Sequence, residues 1–203
     1  MALLLTNGTR QAKAQPEVQS PDQRMEKFID SLLVEMTLQE KLGQLNQPRW
    51  VWGDREEKIR KQYRAQIKKG KIGSFLGVHG VERTRELQRI AVEESRMGIP
   101  LLFAYDVIHG FRTIFPVPLA ESASWRPANA EKSAQIAAVE AAATSLHWTF
   151  APMVDIARDP RWGRIVEGAG EDPYLASQMA AARVRGFQGN DLTAPKTLLA
   201  CAK

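Results

Sequence analysis

Charged residues crowd the ends of short apolar runs in this sequence. Asp106 directly follows the apolar run Leu101–Tyr105, and Lys203 ends a run that begins at Thr197. Between them, residues 151–173 carry three arginines, five acidic residues, a tryptophan and three prolines, with Arg164 near the middle. An arginine donates hydrogen bonds in a planar fork, which suits carboxylates and neighbouring hydroxyl groups. These residues are therefore candidates for holding a hydroxyl-rich ligand.

Each of these features also has a structural interpretation. Asp106 can cap the turn that follows it, and Lys203 can be the exposed end of a strand. We expect at least half of the charges in 151–173 to form internal pairs that stiffen the loop. We expect His109 to hold its own loop by hydrogen bonds.

Several kinds of site are missing from the sequence. It has no Gly-x-Ser-x-Gly nucleophile elbow, no phosphate-binding Gly-Lys-Ser/Thr loop and no metal-ligand spacing among its three histidines. Its single cysteine, Cys201, excludes an intramolecular disulfide and is expected to be a small buried hydrophobe. We therefore expect neither a metal nor a cofactor.

The elements that must position the candidate residues alternate between strands and helices. Strands are predicted at 72–78, 101–105, 147–151 and 197–202. Helices are predicted at 82–97 and 127–146, and from residue 173 to near Gly186 or Gly189. This α/β alternation predicts a parallel sheet, in which working residues lie at the carboxyl ends of the strands. A doubly wound sheet and part of a (β/α)8 barrel both fit. No Gly-x-Gly-x-x-Gly turn follows the early strands, which disfavours a dinucleotide-binding sheet.

The amino-terminal part predicts a leader and then helices. Residues 1–20 are interpreted as a disordered leader, the eroded end of an export signal. Ser20 with Gln23, and Thr37 with Glu40, match the capping-box pattern at the start of a helix. The helix from Pro21 is amphipathic, and we expect its apolar side to be packed.

A basic run at 55–71 accounts for much of the net charge of +5. Such a run can bind nucleic acid, but the apolar residues recurring every four positions favour a solvated helix face. We therefore expect no nucleic-acid partner. No apolar run approaches the roughly 20 residues of a membrane span.

Three long motifs resemble the family 3 glycoside hydrolases, especially their bacterial periplasmic β-glucosidase type. The motifs are residues 36–45, residues 105–119 and residues 150–174, which contain Arg-Asp-Pro-Arg-Trp-Gly-Arg and Gly-Glu-Asp-Pro. The resemblance covers roughly residues 22–203. It implies that residues 21–203 are the first part of a (β/α)8 TIM-like barrel, truncated, and it decides against the doubly wound sheet.

The resemblance also implies a function. It implies a retaining, exo-acting β-glucosidase without a cofactor, periplasmic or secreted, that removes terminal β-D-glucosyl residues from β-glucosides or oligosaccharides. Asp106, Arg164 and Lys203 match the family's substrate-binding positions. No residue matches the catalytic positions, because the nucleophile and the acid/base are expected beyond residue 203. Glu121 stands where the family has an apolar stretch, so we expect it to disturb the local packing.

Three hypotheses follow for the chain itself. The first is an amino-terminal fragment that supplies part of a sugar pocket and is inactive alone. The second is a non-catalytic sugar-binding module. The open edge strands and unfinished core of half a barrel weigh against this second hypothesis. The third is an incomplete gene product that does not fold alone.

Overall fold

A computed structural model describes residues 20–53 and 56–203. The predicted leader therefore lies outside the described residues, except for Ser20. The chain divides into two compact units, the first ending at Met36 and the second running from Thr37 to Lys203.

The first unit contains helix α1, Pro21–Glu35. Its predicted capping box is confirmed, because the Ser20 amide donates to Gln23 Oε1 at 2.9 Å and the Gln23 amide donates to Ser20 Oγ at 3.2 Å. The expected burial of its apolar side is wrong. No residue of α1 is buried, and Phe28 is 63% exposed.

The second unit alternates strands and helices as predicted. Its helices and strands, in chain order, are α2 Leu38–Gln44, α3 Glu56–Lys68, β1 Ser74–Leu76, α4 Val81–Glu94, β2 Leu102–Tyr105, α5 Pro118–Ser122, α6 Pro127–Ala142, β3 Trp148–Thr149, α7 Pro173–Gln188 and β4 Leu199–Ala200, with a 3-10 helix at Ile165–Glu167. The capping box of Thr37 and Glu40 is present at the start of α2. Every strand is shorter than its apolar run, because the flanking residues are buried without joining the ladder. Ile72, Val78, Leu101 and Leu198 are examples.

The strands of the described residues form one parallel sheet in the order β1-β2-β3-β4. Phe75 lies opposite Phe103, and Thr149 lies opposite Ala200. The order follows the chain without the reversal of a doubly wound sheet, so it agrees with the first part of a barrel. The barrel is not closed by these strands. The outer edge of β1 is paired with a preceding segment, because the Trp50 amide donates to the Leu76 carbonyl at 2.8 Å.

The core lies between the sheet and its helices. Phe75, Phe103 and Leu198 from the sheet region pack in one cluster with Leu87 of α4 and Leu146 after α6. Burying one such side chain fully stabilises the fold by roughly 1.5–3 kcal/mol relative to leaving it exposed to water.

Helices α6 and α7 approach closely at a glycine. A Cβ atom added to Gly186 would lie 2.3 Å from the Glu131 carbonyl oxygen. No side chain fits there, so the glycine permits the close packing of these two helices.

Some predicted details were wrong. Helix α4 ends at Glu94, before the predicted end at residue 97, because Ser95 Oγ donates to the Ala91 carbonyl and accepts from the Gly98 amide. Helix α6 ends at Ala142 and not at residue 146. Helix α5 and the 3-10 helix were not predicted. Cys201 is half-buried and not fully buried.

Glu121 does not disturb the packing, so that expectation was also wrong. Its carboxylate is buried on α5 and forms an ion pair with Arg183 of α7. Its other oxygen accepts a hydrogen bond from Ser133 Oγ at 2.6 Å. The buried charge is tolerated because it is both paired and hydrogen-bonded.

The basic run forms a helix face with acidic partners, as its spacing indicated. Arg60 and Arg64 of α3 both pair with Glu86 of α4, and Lys68 pairs with Glu94 at 2.5 Å. Within the described residues, no helix combines the length and the apolar character that crossing a membrane requires.

Candidate functional site

Asp106 and Lys203 meet at the carboxyl ends of β2 and β4. Lys203 Nζ lies 3.1 Å from Asp106 Oδ1 and 3.0 Å from Oδ2. The Lys203 main chain continues the sheet, because its amide donates to the Pro152 carbonyl at 3.0 Å and its carbonyl accepts from the Val154 amide at 2.8 Å. Half of the Asp106 side chain (52%) remains exposed beside this ammonium group.

Arg164 joins the same cluster through Glu167. The Arg164 guanidinium donates to both oxygens of Glu167, from Nε at 2.9 Å and from Nη2 at 2.7 Å. Glu167 Oε2 also lies 3.7 Å from Lys203 Nζ. The hydrogen bond from Arg164 lowers the pKa of Glu167, and the nearby Lys203 adds to this effect. The bond to Glu167 raises the pKa of Arg164, and the charge of Asp106 raises it further. All three predicted site residues therefore lie in one charged cluster.

The Asp106 loop, residues 106–115, is fixed by groups far away in the sequence. The Val107 amide donates to Oγ1 of Thr149, a fully buried residue of β3, at 3.1 Å. Within the loop, His109 Nδ1 lies 3.0 Å from the Phe115 carbonyl oxygen, and the Phe115 amide donates to the His109 carbonyl at 2.8 Å. The predicted structural role of His109 is confirmed.

Glu140 of α6 holds the far end of the Asp106 loop. Its carboxylate accepts from the amides of Arg112 and Thr113, both at 2.8 Å, and from Thr113 Oγ1 at 2.6 Å. The bond from the Thr113 hydroxyl is the main cause that lowers the pKa of Glu140, and the amides of Thr113 and Arg112 reinforce it.

A cavity of about 450 Å³ opens beside Asp106 on the β1 side. His79, Tyr105 and Phe111 line it, with ring centroids 5.5 Å apart for His79–Tyr105 and 5.7 Å apart for Tyr105–Phe111. Burial lowers the pKa of His79. Aromatic walls with a few convergent polar groups are typical of small-molecule sites.

The charges of residues 151–173 mostly stabilise the segment itself. Arg161 donates to Asp159 at 2.6 Å, and Asp172 caps α7 by accepting from the Tyr174 amide at 2.8 Å. With Arg164 and Glu167, five of the eight charged residues bond within the segment or to the start of α7. Without Arg164, itself a predicted sugar contact, four of the eight are bonded in this way, which agrees with the prediction that at least half are structural. In residues 20–53 and 56–203, no three acidic, histidine or cysteine side chains are grouped to hold a metal ion.

The motifs around this cluster match a known family. A sequence profile described as the glycosyl hydrolase family 3 N terminal domain matches residues 37–202. The chain belongs to glycosyl hydrolase family 3.

Relatives in family 3 include named glycosidases. The chain is 41% identical over 162 residues to a periplasmic beta-glucosidase of Salmonella typhimurium, covering 80% of this chain and 21% of that protein. It is 30% identical over 188 residues to a lysosomal beta glucosidase of Dictyostelium discoideum, covering 81% of this chain and 23% of that protein. The chain therefore spans about a fifth of the length of these relatives.

Solved structures agree with the family 3 fold. The beta-glucosidase from Listeria innocua superposes with a TM-score of 0.77 at 34% identity, covering 88% of this chain and 26% of that one. A mutant of the same enzyme in complex with laminaribiose superposes with a TM-score of 0.78 at 35% identity, covering 88% of this chain and 26% of that one. The α/β sheet of the present chain is thus the start of the family's barrel-like domain.

Sequence reasoning missed the residues that position this family 3 cluster. Glu167 had a local signal, because it follows Arg164 by three residues, a helical spacing. Thr149 is a hydroxyl in a predicted buried strand, so its need for a partner was a weak signal. Glu140 had none, since it lies 28 residues from Arg112.

Proposed function

We propose that this chain forms part of the glucose-binding wall of a retaining, exo-acting β-glucosidase. Asp106, Arg164 and Lys203 are the proposed sugar contacts. The observation that carries the proposal is the meeting of these three side chains at the carboxyl ends of parallel strands, where ligands bind in barrels of this kind. The solved relative from Listeria innocua was crystallised with glucose and with laminaribiose, which supports a β-linked glucose ligand.

The geometry gives each residue a distinct task. Lys203 Nζ fixes the Asp106 carboxylate, whose exposed lone pairs accept hydrogen bonds from neighbouring sugar hydroxyls. The Arg164 guanidinium has five N–H groups, and Glu167 takes two of them. The half-exposed side chain is free to donate others to sugar oxygens.

Retaining hydrolysis needs two further carboxylates. One attacks the anomeric carbon, and the other protonates the leaving oxygen and then activates water. We assign neither role to a residue of this chain, and Asp159, Glu167 and Asp172 are bonded within their segment or to the start of α7. We therefore propose that the 203-residue chain alone binds sugar without hydrolysing it, and that the full-length β-glucosidase is periplasmic or secreted.

Glucose titration tests the binding role. Tryptophan fluorescence of the purified chain should change saturably with glucose, and not at all in Arg164→Ala. Arg161→Ala is the matched control, because Arg161 lies in the same segment but is bonded to Asp159 and is highly exposed. Equal loss in both variants, or an unchanged response in Arg164→Ala, would contradict the assignment.

Turnover separates binding from catalysis. The purified chain should release no product from an aryl β-glucoside under conditions in which it binds glucose. Hydrolysis that disappears in Asp106→Asn would mean that the chain carries its own catalytic residues, and the non-catalytic part of the proposal would be wrong.

A further inference from the structure

A buried ion pair lies next to the loop that carries Asp106. Arg183 of α7 pairs with Glu121 of α5, and both side chains are more than nine-tenths buried. The second terminal nitrogen of Arg183, Nη1, donates to the Ile108 carbonyl at 3.1 Å. One guanidinium thus joins two helices to the main chain two residues beyond Asp106.

The ion pair is a weak candidate for a purely stabilising device. Taking both charges out of water is costly, and well-packed apolar residues of similar volume often stabilise a fold equally well. Burial lowers the pKa of Arg183, while the attraction of Glu121 opposes this effect. What an apolar pair cannot replace is the hydrogen bond that the guanidinium donates to Ile108.

We propose that Arg183 is a positioning residue for Asp106, held in its own orientation by Glu121, whose carboxylate also accepts a hydrogen bond from Ser133. The sugar-binding role of Asp106 rests on the function proposed above, but the positioning of the loop does not.

The loop is fixed at two consecutive residues by this arrangement. The Val107 amide donates to Thr149, 42 residues away, and the Ile108 carbonyl accepts from Arg183, 75 residues away. The main chain beyond Asp106 cannot turn without breaking one of these bonds. A shift of about 1 Å in a positioning group can cost as much as a hundredfold in function, so this constraint bears directly on ligand affinity.

The test uses a double variant, Glu121→Leu with Arg183→Met. It removes both charges, keeps roughly the same volume and deprives Ile108 of its donor. The control is Glu131→Leu with Arg185→Met, which removes a partly exposed ion pair between α6 and α7. Three quantities are measured on the 203-residue chain: the melting temperature, hydrogen exchange at the amides of residues 107–110, and the dissociation constant for glucose.

We expect the buried double variant to melt close to the unchanged chain. Exchange at 107–110 should rise about tenfold, and the dissociation constant for glucose should rise about tenfold, the equivalent of one lost hydrogen bond. The control variant, Glu131→Leu with Arg185→Met, should change neither the exchange at 107–110 nor the dissociation constant for glucose. Should the double variant fail to fold, Arg183→Lys tests the same point, because it keeps the charge opposite Glu121 but loses the fork that reaches Ile108.

The outcomes are separable. Faster exchange with weaker glucose binding supports the proposal in full. Faster exchange in a chain that never bound glucose supports the positioning role and refutes the sugar-binding function. Unchanged exchange in a folded double variant overturns the positioning role, whatever the affinity for glucose.

Discussion

The Asp106 loop and the Arg164 loop, residues 158–167, are held in opposite ways. The Asp106 loop is fixed by Thr149, Glu140 and Arg183, which lie on three other elements of the fold. The Arg164 loop is fixed largely by its own neighbours, through the pairs Asp159–Arg161 and Arg164–Glu167. The first loop therefore takes its shape only when the surrounding fold is complete.

This difference gives the two loops of the cluster different rigidity. The two buried anchors, Thr149 and Arg183, give Asp106 a rigid position, since low dielectric strengthens each bond and leaves no water to replace it. Exposed pairs give the Arg164 loop a preferred shape that water and salt can weaken. A ligand that contacts both loops would meet one rigid wall and one adjustable wall.

The largest expected effect comes from removing the carboxylate that pairs with the arginine at each loop, Glu121 beside Arg183 and Glu167 beside Arg164. Glu121→Ala leaves the buried Arg183 without its partner and should lower the free energy of unfolding by about 3–5 kcal/mol. Glu167→Ala removes a partly exposed partner of Arg164 and should cost less than about 1 kcal/mol. Urea unfolding of both variants measures the difference. Equal costs would mean that the two loops are anchored alike.

Glycine substitutions give the next largest contrast. Gly110 in the Asp106 loop has φ of +120°, and an added Cβ would lie 2.0 Å from the Thr113 carbonyl oxygen. Gly110→Ala should therefore cost about 2–3 kcal/mol of the free energy of unfolding. A Cβ added to Gly163 in the Arg164 loop would lie in open space. Gly163→Ala should therefore change the free energy of unfolding by no more than about 0.5 kcal/mol. A tolerated alanine at residue 110 would argue against a rigid loop.

The same contrast explains what the sequence could predict. The alternation of apolar runs and helical periods predicted the parallel sheet, and strand ends predicted that Asp106 and Lys203 share one edge. The internal pairing of residues 151–173 was also predictable, because its partners lie within a few residues. The anchors of the Asp106 loop were not, because they are 27 to 75 residues away and depend on how the helices pack. Glu121 was misjudged for the same reason, since its partner is 62 residues away.

A smaller effect should appear with pH. The pKa of Glu140 is lowered in the folded chain, mainly by the Thr113 hydroxyl, from its ordinary value of 4.5. A lowered folded-state pKa stabilises the fold above the unfolded value, and this stabilisation is lost as pH falls through the folded value. The stability difference between the unchanged chain and Glu140→Gln should be constant near neutral pH and shrink below 4.5.

Thr113→Val provides the control for this pH effect. It removes the hydroxyl that contributes most to the shift and keeps the size of the side chain, so its loss of stability between pH 6 and pH 3 should be less steep, as measured by urea unfolding at each pH. A stability difference for Glu140→Gln that persists unchanged at pH 3 would show that the carboxylate charge does not hold this loop.

The smallest expected effect is that of salt. Screening shortens the Debye length from about 10 Å at 0.1 M to about 3 Å at 1 M, which weakens exposed charge pairs. Because the partners of Arg161 and Arg164 are partly exposed, amide exchange in residues 158–167 should speed up at 1 M sodium chloride, by no more than about fivefold. Exchange at residues 107–110 should not change, since their anchors are a buried hydroxyl and a buried guanidinium. Equal acceleration in both loops would mean that the buried ion pair is open to solvent, and the distinction between a rigid and an adjustable wall would fail.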